Sequence, residues 1–82
     1  MYIKVTYGRN VIAVEYLKNN DYKSLIDIAE SVAELKATGK FKIIIDHYKL
    51  ESVELDKIDA VRFIMDIAAG KMLAAAVEKG VA

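Results

Sequence analysis

The stretch Lys40 to Leu50, KFKIIIDHYKL, constrains the fold more than any other in the chain. Ile43, Ile44 and Ile45 follow one another, and successive side chains of a strand point to opposite faces, so a strand here presents apolar groups on both sides. Such runs belong to inner strands covered on both faces, in sheets whose strands are joined by crossover helices. The run ends in Asp46, His47 and Tyr48, and His47 is the only histidine. In open α/β sheets that polar end is where ligands bind.

The segments before it have clear periods. From Met1 to Tyr7, Tyr2, Lys4 and Thr6 fall on one side and Ile3, Val5 and Tyr7 on the other, the period of a strand with one buried face. Gly8, Arg9 and Asn10 supply a turn in which Gly or Asn takes positive φ, and Val11 to Leu17 forms the return strand of an antiparallel hairpin. Asn19, Asn20 and Asp21 offer caps to a helix over Tyr22 to Thr38. In it Tyr22, Leu25, Ile26, Ala29, Val32, Ala33 and Lys36 form one stripe and Gly39 the stop.

Beyond Asp46, residues His47 to Glu54 read as a polar loop. A second helix follows over about Leu55 to Ala69, its apolar residues Ile58, Val61, Phe63, Ile64, Met65 and Ile67 spread over a wide arc, with Gly70 ending or kinking it. Met72 to Val77 is compatible with helix through Ala74, Ala75 and Ala76, and equally with a short buried strand. No internal repeat, linker or low-complexity segment divides the chain, so residues 1–82 are expected to form a single domain.

Equal numbers of basic and acidic residues, 12 of each, disfavour a nucleic-acid binder, which needs a basic surface to neutralise phosphates. No apolar run approaches the roughly 18 residues of a membrane span, and the N-terminal segment lacks the apolar core of a signal peptide, so the expectation is a cytoplasmic protein. The hydrophobic share is 55% of 82 residues. A domain this small buries only about 60% of its unfolded surface, so some of that apolar material is expected to meet a partner or a second copy.

The candidate chemistry is sparse. On a strand, Asp46 points away from His47, so the two form no dyad, and no motif places a Ser or Cys nucleophile beside them. His47 suits a solvated or locally hydrogen-bonded loop residue first, a ligand-contacting or interface position next, with Tyr48 beside it on the rim of a candidate pocket, and a reaction centre least. One histidine with Asp46 and Glu51 is a poor metal set, and there is no cysteine. Asp56 and Asp59 suit the positive end of a helix dipole, and Tyr2, Tyr7 and Tyr16 suit cross-strand pairing. Gly8 has no companions at phosphate-loop spacing. The expectation is no enzyme, no cofactor and no metal.

The stretches VIAVEYLKNNDYKSLIDIAE (Val11 to Glu30) and GKFKIIIDHYKLESVELDKIDAVRFIMDIA (Gly39 to Ala68) resemble the STAS superfamily of anti-sigma-factor antagonists, in its SpoIIAA-like branch, through Asp21-Tyr22 at a helix start and a strand ending in Asp46 with Leu50 after it. The resemblance implies Met72 to Val77 as a strand, and hence an α/β fold, α+β by connectivity, of order ββαβαβ: an N-terminal antiparallel hairpin in a mixed sheet with two helices packed on it. Family members continue through a further helix and strand, so a chain ending earlier would leave an open edge for a partner or copy. The phosphorylated serine of these switches has no counterpart in Glu54-Leu55-Asp56-Lys57, and Ser52 suits a cap or loop.

The preferred functional expectation is a small non-enzymatic regulatory or interaction module docking through its second helix, around Ile58, Arg62, Phe63 and Asp66, and self-associating as a homodimer. The alternative is a binder of a small apolar or lipid-like molecule between that helix and the sheet, rimmed by His47 and Tyr48.

Overall fold

The computed structural model describes residues 1–80. Its order is β1 (Tyr2–Tyr7), β2 (Asn10–Tyr16), α1 (Tyr22–Glu34), β3 (Phe41–Asp46), β4 (Leu50–Leu55) and α2 (Lys57–Glu78). The class is α+β, as expected, but the order is ββαββα and the sheet is antiparallel throughout, ordered β2-β1-β3-β4. The expected mixed sheet is absent because no helix connects β3 to its neighbour. A three-residue loop, His47 to Lys49, turns the chain straight back into β4.

The expected polar loop 47–54 is therefore mostly a strand. Its Glu51, Ser52 and Glu54 disguise an alternation in which Val53 and Leu55 pair with Ile43 and Phe41 on the covered face. The neighbouring expectation, that both faces of β3 are covered, is also corrected. Phe41, Ile43 and Ile45 are buried, whereas Lys42 and Asp46 are exposed and Ile44 is half-buried on the open face. β3 is an inner strand because β1 and β4 flank it, and both helices lie on one side.

The chain consists of two hairpin–helix units, β1β2α1 and β3β4α2, a repetition of architecture with no repeat of sequence. Each helix begins on an aspartate whose carboxylate accepts from the backbone N–H three residues on: Asp21 from Ser24 at 3.2 Å and Asp56 from Asp59 at 2.9 Å. These bonds satisfy donors that a first turn leaves free. In the first hairpin, Gly8 adopts φ 60°, a conformation that costs a residue with a Cβ.

α1 stops at Glu34, earlier than the expected Thr38. Leu35 turns extended, and Lys57 Nζ donates to its carbonyl at 2.9 Å. The following segment packs Leu35 and Ala37 against the core and brings the Gly39 N–H to the Tyr7 hydroxyl at 3.1 Å. A Cβ at Gly39 would come within 3.3 Å of that oxygen, which is why the segment narrows there to a glycine.

Met72 to Val77, expected as a strand, lies within α2, which continues through Gly70 to Glu78. One glycine costs a helix about 1 kcal/mol relative to alanine. The alanines on both sides favour helix, and the helix keeps its packing on α1 across Gly70 through Ala68, Lys71 and Ala75. Ile3, Val5, Phe41, Ile43 and Ile45 of the sheet, Leu25, Ile28, Ala29 and Val32 of α1, and Ala60, Ile64 and Ala68 of α2 form the core.

Candidate functional site

α2 packs inward through three alanines together with Ile64 and Lys71, and leaves several large apolar side chains outward. Its buried residues are Ala60, Ile64, Ala68, Lys71 and Ala75, a stripe at 4-4-3-4 spacing that lets α1 approach closely. Ile58, Met65, Met72, Leu73 and Val77 are exposed by 70%, 40%, 46%, 70% and 63%. At 100° per residue these five, with Ala69 and Ala76, line the side of the helix opposite the core. A helix apolar on both sides is the pattern of one covered on both sides.

Of the four residues expected on this face, Ile58, Arg62 and Asp66 are exposed along it. Phe63 is half-buried about 100° further round and packs toward the core. The sequence reading missed Met72, Leu73 and Val77, because that segment was assigned to a strand. Continued helical spacing from Ile58 through Met65 to Met72 was the available signal.

A second feature lies where α2 passes the β3–β4 hairpin. A cleft of about 300 Å³ is lined by Ile45, Phe63 and Ile67 at its base and by His47, Tyr48, Lys49 and Glu51 at its mouth, at the small end of ligand sites. The His47 and Tyr48 rings lie in contact, 4.1 Å between centroids and tilted by 54°. Beside the cleft, Lys71 is only 4% exposed, and its ammonium donates to the carbonyls of Lys18 at 2.9 Å and Asn19 at 3.2 Å. It ties the C-terminal half of α2 to the loop before α1.

Burial and, next, the Lys71 and N-terminal charges hold the His47 pKa below its ordinary 6.5. Desolvation likewise lowers that of Lys71 from 10.5, opposed by the charge of Asp21. Lys71 carried its own signal in the sequence: residues 64, 68, 71 and 75 share the buried stripe.

The remaining candidates have structural roles. Asp56 and Asp59 form the start of α2. Tyr2 and Tyr16 pair across β1 and β2 at 5.0 Å, and Tyr7 packs on Phe41 at 4.8 Å. Ser52 lies on the open face of β4, opposite Ile44. Among the described residues no group of three acidic or histidine side chains converges to hold a metal, and no helix is long and apolar enough to cross a membrane. No family model, curated protein or solved structure matches the chain.

Proposed function

We propose that the protein is a small non-enzymatic interaction module of the cytoplasm that docks through the outer face of α2. One observation carries the reading: α2 packs on its own domain through mostly small residues and presents Ile58, Met65, Met72, Leu73 and Val77 to solvent. Exposing large side chains while burying alanines forgoes apolar burial within the domain, at roughly 25 cal/mol per Å². Contiguous exposed apolar surface of this kind marks interaction sites. The proposal rests on this face and not on the STAS resemblance. Its test is affinity capture with the wild type and with Leu73→Asp, each checked for native circular dichroism. The variant is expected to lose the proteins, or further copies of the chain, that the wild type retains; an identical captured set would overturn the reading.

The cleft supports a second reading, a binder of a small apolar or lipid-like molecule held by Ile45, Phe63 and Ile67 under the His47–Tyr48 rim. Native mass spectrometry of freshly purified protein is expected to show an adduct that Ile67→Trp excludes. A bare mass from repeated preparations would remove this reading.

A further inference from the structure

We propose that the occupant of α2's outer face is a second copy of this chain, with the two α2 helices antiparallel across a twofold axis beside Ala69. The inference rests on the docking reading above and adds to it the partner and the geometry.

The stripe has the spacing an identical helix requires. Ile58, Met65 and Met72 recur every seven residues, as do Ala69 and Ala76, and a seven-residue repeat keeps a straight seam between two helices that supercoil gently. The stripe is also nearly symmetric about Ala69. Met65 and Leu73 stand four residues to either side. An isologous antiparallel pair centred there sets Met65 against the partner's Leu73 and Leu73 against the partner's Met65. Ala69 faces the partner's Ala69, where a small side chain permits close approach.

Charge selects the direction. The exposed face carries one cation, Arg62, and two anions, Asp59 and Asp66. A parallel pair would set each against its own copy, a destabilising arrangement. The antiparallel pair places Arg62 beside the partner's Ala76 and separates the two arginines by about 21 Å along the seam, at ~1.5 Å per residue.

Cysteine crosslinking tests the geometry, because the chain has no cysteine of its own. Under mild oxidation Ala69→Cys is expected to form a covalent dimer. Met65→Cys alone should stay uncrosslinked, while a mixture of Met65→Cys and Leu73→Cys should crosslink. Sedimentation equilibrium of the wild type should give twice the chain mass, and Leu73→Asp should give a monomer with native circular dichroism. If Ala69→Cys folds poorly, the mixed pair decides. Self-crosslinking of Met65→Cys in preference to the mixed pair would overturn the antiparallel register. A wild type that stays monomeric at its highest soluble concentration would overturn the second copy as occupant; if Leu73→Asp still lost captured proteins, docking through α2 would stand. A dimer unaffected by Leu73→Asp would overturn both.

Discussion

Lys71 shows how one side chain joins three parts of the molecule. Its methylene stem lies in the α1–α2 packing while its ammonium satisfies the Lys18 and Asn19 carbonyls, the usual way a long cation is buried. Burial disfavours the charged form, so folded Lys71 releases its proton below 10.5, whereas the unfolded chain holds it until 10.5. The sign follows from counting protons: between those two values the unfolded state binds more, so stability rises with pH across that interval. In urea unfolding, the wild type is expected to gain stability relative to Lys71→Met as pH rises toward 10.5; parallel curves would refute it. His47 reports the same charge from outside. With burial, Lys71 and the N-terminal ammonium all favouring the neutral ring, its proton NMR titration should have a midpoint below 6.5. Lys71→Met should raise that midpoint without fully restoring it, since burial is the larger cause. The opposing charges nearby, Glu51 at the cleft and Glu78 in the adjoining hollow between His47 and Lys71, remain in both proteins. Because folded His47 takes up its proton below the unfolded value, the wild type loses stability as pH falls through 6.5, and the loss levels off below the folded pKa. A midpoint unmoved by Lys71→Met would show that the two groups do not interact.

The elements differ in how far local sequence determined them. β1, the turn at Gly8 and the Asp21 cap were legible because their signals are local: alternation, a residue permissive of positive φ, and a short acceptor before a helix. β3 was legible as a strand but not as a strand with one open face, because Ile44 is as apolar as its neighbours and only the chain's course beyond Lys49 leaves it uncovered. Mutation should separate the faces. Ile43→Ala, at a fully buried position, is expected to cost about 2–5 kcal/mol. Ile44→Ala, half-buried on the open face, should cost about 1 kcal/mol, in keeping with the few methylenes it removes from partial cover. Equal costs in chemical denaturation would mean that something covers the open face. β4 was hidden by three polar residues, and the second half of α2 by Gly70, which reads as a stop when only neighbours in sequence are considered. Nothing lies within 4 Å of a Cβ placed at Gly70. Gly70→Ala should therefore stabilise the fold by about 0.5–1 kcal/mol, the helix-propensity difference, with the unfolding slope unchanged. A loss of stability would indicate that the backbone there needs a glycine.

At the scale of the whole molecule, shape and surface point the same way. The described chain measures 42 × 23 × 16 Å, and α2, roughly 33 Å long at ~1.5 Å per residue, spans much of the long axis. A four-stranded sheet and the shorter α1 cover one side of such a helix and leave the other to solvent. The excess of hydrophobic residues in the sequence raised the expectation that large apolar side chains would stay exposed, as five of them do along α2. It could not say where, because the place depends on α2 being continuous and on which of its faces meets α1. A thermodynamic consequence follows that no monomer shares. If two copies pair through α2, folding and pairing are linked, and dilution lowers the unfolding midpoint by mass action. Each tenfold dilution removes about 1.4 kcal/mol per mole of dimer wherever unfolding and dissociation coincide. Thermal unfolding of the wild type followed over a hundredfold concentration range should move steadily upward in midpoint with concentration, whereas Leu73→Asp, which sets a carboxylate in the seam, should give one midpoint at every concentration. Salt provides a control on the cause. The seam is mostly apolar, so moderate sodium chloride should leave the concentration dependence intact. A dependence that salt abolished would place the contact on a charged surface, and a wild type with a constant midpoint would leave α2's outer face to a different partner.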